Sequence, residues 1–78
     1  MPVIHRWRGY RFHFFSADGG EPRHVHVEKD GKQAKVWLHD VTFAINLGFN
    51  ASEMSDIIRE CRREREALIG AWNDYFAN

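Results

Sequence analysis

The stretch EPRHVHVEKDGKQAKVWL, residues 21–38, decides the fold, because it sets an Asp-Gly pair at 30 and 31 between two alternating runs. Asp-Gly is a preferred centre for a two-residue type I′ hairpin, since both residues tolerate positive φ. Counting outward from that bend gives a register. Lys29 faces Lys32, Glu28 faces Gln33, Val27 faces Ala34, His26 faces Lys35, Val25 faces Val36 and His24 faces Trp37. Strand side chains alternate between the two faces of a sheet. Val25, Val27, Ala34 and Val36 therefore share an apolar face, and His24, His26, Glu28, Gln33, Lys35 and Trp37 the polar one. A slip of one residue would set histidine against valine, so the pattern supports this pairing.

Upstream, residues 10–15 (YRFHFF) alternate as well, with Tyr10, Phe12 and Phe14 on one face and Arg11, His13 and Phe15 on the other. That is the mark of a half-buried strand. Residues 3–7 predict a short edge strand, broken or bulged at Gly9, and residues 16–22 (SADGGEP) carry loop chemistry throughout. Downstream, His39-Asp40 predicts a turn. Residues 41–47 (VTFAINL) fit either a strand or a helical turn, with their Val, Thr, Phe and Ile content favouring the strand.

Past Gly48 the period changes. Asn50 followed by Glu53 is capping-box-like. Met54, Ile57, Ile58, Cys61, Leu68, Trp72, Tyr75 and Phe76 then recur in steps of three and four, predicting an amphipathic helix over residues 50–76. Arg65 falls in that stripe, where its stem can pack while its head reaches out. Gly70 weakens the helix, and close packing on the sheet would account for it. The expected fold is α+β: an antiparallel sheet of four or five strands with one long C-terminal helix packed on one face. Residues 1–78 read as a single domain, with 1–47 as its sheet portion. A single helix leaves the second sheet face without a cover.

Composition narrows the function classes. At 44% hydrophobic and 28% charged residues the chain reads as globular rather than disordered. Eleven basic residues balance eleven acidic ones, which argues against gripping nucleic acid by charge alone. Residues 1–50 hold seven basic against five acidic groups, +2, and residues 51–78 four against six, −2, too small an asymmetry to name a partner. One cysteine, Cys61, excludes an internal disulfide framework and fits a reducing cytoplasm; its place in the stripe makes it core rather than nucleophile. The opening MPVIHRWRGY lacks the apolar stretch of a signal peptide, and no run approaches the ~20 apolar residues of a membrane span.

The chemistry-bearing residues gather on the face expected to be bare: Arg11, His13, Phe15, His24, His26, Lys35 and Trp37. His24 and His26, at i and i+2, can both reach one metal ion, and His13 supplies a third ligand if its strand pairs alongside. Zinc is the candidate ion, although the chain lacks an HExxH or CxxC pattern and the default expectation is no cofactor. Aromatic and basic groups interleaved on an open sheet also suit single-stranded RNA. Imidazoles in that setting could serve as the acid and base of a phosphodiesterase, which makes His24 and His26 candidate catalytic residues. Against these stands the ordinary reading: a solvated sheet face accepts histidine, and Trp37 over His24 is a common cross-strand pair. A contiguous aromatic surface is equally an interface to a partner or to a second copy.

MPVI, GYRFHFF, EPRHVHV, AKVWL, LGFNASEM and AWNDYF, in that order and almost end to end, resemble the bacterial Domain of Unknown Function 4160 family. The family's Pro-Pro-His-x-His stretch falls on Pro22, Arg23, His24 and His26, with Arg23 standing where the second proline would be. Trp37 and Leu38 match its strand-end WL. Gly48, Phe49 and Asn50 match its helix cap, and Trp72, Tyr75 and Phe76 its closing W-x-x-Y-F. The resemblance implies a small bacterial cytoplasmic protein. It further implies a gene beside another small uncharacterised gene, in a toxin–antitoxin-like pair, and no established reaction, cofactor or substrate. It adds weight to His24 and His26. The leading expectation is an interaction protein that binds the neighbouring gene's product or itself as a homodimer. A histidine-dependent ribonuclease or RNA-binding toxin and a divalent-metal-binding protein are the alternatives.

Overall fold

The computed structural model describes residues 3–77, so Met1 and Pro2 of the MPVI segment lie outside it. Five strands follow in chain order: β1 (Val3–Trp7), β2 (Tyr10–His13), β3 (His24–Lys29), β4 (Lys32–Trp37) and β5 (Thr42–Leu47). They form one antiparallel sheet in sequential order, so each strand pairs with its chain neighbour. The β3–β4 register agrees with the count from Asp30-Gly31 at all six positions. Asp30 and Gly31 both have positive φ, 51° and 78°, as a type I′ bend needs. Arg8 and Gly9, at 50° and 84°, make a second such bend between β1 and β2. Gly9 therefore turns the chain rather than merely interrupting a strand. Residues 42–47 are strand, which settles the choice left open above.

The sheet's two faces separate as the alternation requires. Phe12, Phe14, Val25, Val27 and Val36 are buried to 1% exposure or less on the core face. Against them lie Ile57, Cys61, Leu68 and Trp72 from the C-terminal helical segment. Burial pushes the Cys61 thiol up to about 12, so it stays a neutral core group.

That segment corrects one expectation. It is two helices, α1 (Ala51–Arg63) and α2 (Arg65–Tyr75), separated at Glu64. The hydrogen bonds from Glu64 N to Glu60 O and from Leu68 N to Glu64 O persist across the junction, so the break is confined to one residue. It coincides with Arg65, whose Nε donates to the Leu38 carbonyl at 2.8 Å and Nη2 to the His39 carbonyl at 3.3 Å. The guanidinium is thus tied to the end of β4 instead of reaching into solvent. At the other end, Glu53 N donates to Asn50 Oδ1 at 2.8 Å and Asn50 N to Glu53 Oε1 at 3.0 Å, completing the capping box.

Gly70 is a second correction. A Cβ added there meets nothing within 4 Å, so no close approach to the sheet requires glycine. Gly70→Ala is therefore expected to stabilise the protein by up to about 1 kcal/mol, the helix-propensity difference. Urea denaturation with an unchanged slope and a raised midpoint would show it, and an unchanged or lowered midpoint would refute it.

Candidate functional site

The face away from the helices is organised in cross-strand rows. Val3, His13, His26, Lys35 and Ile45 stand opposite one another across all five strands. Arg11, Glu28, Gln33 and Leu47 form the next row. His24, Trp37 and Thr42 form a third. Six of the seven residues singled out above stand in these rows, and Phe15, just past the end of β2, lines the groove on the same side. A groove of about 390 Å³ runs along it, with His13, His26 and Lys35 in its floor and Phe15, Ile45 and Leu47 beside them.

The face is not wholly bare. Residues 16–22, expected as loop throughout, include a 3-10 helix, Ser16–Gly20, that folds back over one end of the sheet. Asp18 anchors it: the Phe15 amide donates to Asp18 Oδ2 at 2.8 Å, and His26 Nε2 donates to the same oxygen at 3.0 Å. Gly19 is pressed against the Phe76 ring, with a Cβ at that position only 2.9 Å from it. The next residue's neighbour, Glu21, pairs with Lys35 across the same surface.

This cover corrects the expected exposure of the histidine pair. Both imidazoles leave β3 on the predicted side, but His24 is 0% exposed. It lies 5.1 Å from the Trp72 ring of α2, 5.6 Å from Trp37 and 5.1 Å from His26. The contact with Trp72 arises where α2 passes the start of β3, a position also held by Arg23 Nε donating to Asn73 Oδ1 at 2.9 Å. His24 is therefore enclosed among side chains rather than presented to solvent. His26, with its side chain 20% exposed, keeps an edge on the groove.

His13 stacks on His26 with centroids 5.7 Å apart, and Phe15 meets both rings edge-on at 5.1 and 4.4 Å. Burial lowers the pKa of His13 and of His26; for His26 it prevails over the opposing pull of the Asp18 carboxylate. Burial acts to raise Asp18. The Phe15 amide bond and the charges of His24 and His26 outweigh it and hold the carboxyl below its usual value. Arg11 is paired with Glu28 at 2.6 Å, and the Lys35 ammonium, besides Glu21, lies 4.7 Å over the Trp37 ring.

The structure thus brings His24 and His26 together with Asp18, while His13 stands against His26 outside that trio. Asp18 was missed in the sequence because it sits in a Gly-rich turn, where aspartate is common for local reasons. One usable signal was present: it precedes the two histidines by six and eight residues, across a connection short enough to fold back on the next strand.

No helix among the described residues is long and apolar enough to cross a membrane. Comparison with the curated proteins and with solved structures returns no match. A family model described as "Domain of unknown function (DUF4160)" matches residues 9–73, which takes in every strand after β1, the 3-10 helix, α1 and most of α2. The chain belongs to that family.

Proposed function

We propose that this chain is a small interaction protein whose working surface is the face of the sheet opposite the helices. The observation that carries the reading is the exposure there of three large apolar side chains around one groove: Phe15 at 40%, Ile45 at 48% and Leu47 at 61%. Apolar groups gathered in one place on a small protein mark a surface that is covered in use. The chemistry suits a protein partner with an apolar centre. Arg11 and Lys35, the cations of this face singled out in the sequence, are already neutralised by Glu28 and Glu21. That pairing counts against RNA as the occupant, because phosphate binding needs cations able to displace counterions. The resemblance implies a two-gene, toxin–antitoxin-like arrangement, which points to the product of the adjacent small gene as the partner.

The test is co-expression of the two products. A complex that survives gel filtration at micromolar concentration, and that the double variant Ile45→Asp, Leu47→Asp loses by at least about 100-fold in affinity, is the expected result. A charge forced into each apolar contact makes a loss of that size reasonable. Separate elution of the two wild-type proteins would overturn the reading. Elution of the chain alone as a dimer, sensitive to the same double variant, would replace the partner with a second copy.

A further inference from the structure

We propose that Asp18, His24 and His26 form a binding site for one divalent transition-metal ion of the zinc class, held by the two Nε2 atoms and one carboxylate oxygen. The inference goes beyond the docking surface and rests on different atoms. Its starting point is His24. That side chain is 0% exposed, and its Nδ1 lies 2.8 Å from the Pro22 carbonyl oxygen. A carbonyl oxygen only accepts, so Nδ1 carries the hydrogen, and the lone pair of the neutral ring is on Nε2. Yet Nε2 makes no hydrogen bond, although Asp18 Oδ2 is 3.2 Å away. A buried lone pair aimed at a carboxylate oxygen is repulsive, so the pair needs a cation between its atoms, either a proton on Nε2 or a metal ion in its place.

The rest of the cluster fits that cation. One oxygen of Asp18 lies 3.2 Å from His24 Nε2 and 3.0 Å from His26 Nε2, and one atom from each of the three residues can be chosen within 4.8 Å of the others. Ligands at the usual zinc distances, in a tetrahedron, stand about 3.3–3.4 Å apart. Both nitrogen–oxygen separations fall just short of that spacing, so a small movement of each ring away from the carboxylate makes room for an ion. Two supporting bonds are in place. The Pro22 carbonyl fixes the His24 tautomer that exposes Nε2, and the Phe15 amide orients the Asp18 carboxylate. The ion would take the place of the proton on His26 Nε2. Two imidazoles with one carboxylate suit zinc, cobalt(II) or nickel(II), whereas magnesium and calcium prefer oxygen. Three protein ligands leave a fourth position for water.

A second group of metal-compatible residues, His5, Glu60 and Glu64, lacks this signature. Both Glu60 oxygens there already accept from Arg63, at 2.9 and 2.7 Å, and one accepts from His5 at 2.6 Å. That cluster is a satisfied ion pair.

The experiment titrates chelator-treated protein with Co²⁺ and Zn²⁺, following cobalt d–d absorption, competition by a chromogenic chelator, and thermal unfolding. One ion per chain, four- or five-coordinate cobalt absorption and a raised Tm are expected. Asp18→Asn and His26→Gln are each expected to weaken binding at least about tenfold, and His39→Gln, an exposed histidine outside the cluster, to leave it unchanged. His26→Gln, at the half-exposed position, keeps the test open if His24 variants fail to fold. Absence of binding at a millimolar metal concentration would overturn the proposal. So would affinity that survives both Asp18→Asn and His26→Gln, or a cluster that takes up no ion and behaves only as an imidazolium–carboxylate pair.

Discussion

Phe14→Ala is expected to cost about 3–5 kcal/mol, the range for removing a buried aromatic ring. A chain of this length holds a total of roughly 4–12 kcal/mol, so the variant should lose at least about a quarter of its stability at 25 °C, and all of it at the low end of that range. Phe14 is 0% exposed and lies 5.2 Å from Trp72, 5.8 Å from Tyr75 and 6.0 Å from Phe76. Its ring is therefore what α2 closes upon. Its loss would also free the C-terminal aromatics that cover His24 and press on Gly19. The neighbouring Phe15→Ala, on the opposite face at 40% exposure, should cost about 1 kcal/mol or less. The contrast between adjacent phenylalanines is the sharp part of the prediction. Comparable losses from the two variants in urea unfolding would contradict the alternation on which both faces depend.

That alternation is also why so much of the sheet was legible. A two-residue bend at Asp30-Gly31 and a side-chain period of two leave no freedom once the turn is placed, so six cross-strand pairs follow by counting. The capping box at Asn50 and Glu53 was legible for the same reason, because its partners are three residues apart. What escaped is non-local. Nothing near His24 announces that the Trp72 ring reaches it from the far end of the chain, and only the shortness of the connection hints that the turn around Asp18 meets it from the other side. The helix break at Glu64 has no Gly or Pro to mark it, and it accompanies the reach of Arg65 to carbonyls 26 and 27 residues earlier. Val41 has a φ of 53°, a left-handed conformation that β-branched residues avoid, and only its 6% exposure shows that packing holds it there. Gly70 misled in the other direction, since a glycine with no steric duty looks the same in a sequence as one with a duty. The candidate site was half legible: both histidines are visible as a motif, and the aspartate that joins them is not.

Acid is expected to unfold the metal-free protein in two overlapping stages. His13 and His26 have folded-state pKa values lowered from 6.5, chiefly because burial disfavours the charged ring. Glu60, 2% exposed, is lowered from 4.5: burial pushes it up, but hydrogen bonds from Arg63 and His5 outweigh that. Asp18 is lowered from 3.8 in the same manner, by the Phe15 amide and the two histidines. In all four cases the folded value lies below the unfolded one, so the unfolded chain takes up protons first as pH falls. Stability is then present above the unfolded value and lost on descending through the folded one. The curve should be level above about pH 7 and should decline from near 6.5 as the histidines contribute. It should steepen below about 4.5 as the carboxylates join. Equilibrium denaturation in chelator between pH 8 and pH 3 reads the curve directly. His13→Phe should flatten its upper part, because an apolar ring can fill the buried place beside His26 without titrating. Glu60→Gln should leave that upper part alone and shallow the lower one, at the cost of the ion pair with Arg63. Stability that stays level or rises between pH 6.5 and 5 would mean that the two imidazoles protonate as readily inside the fold as outside it.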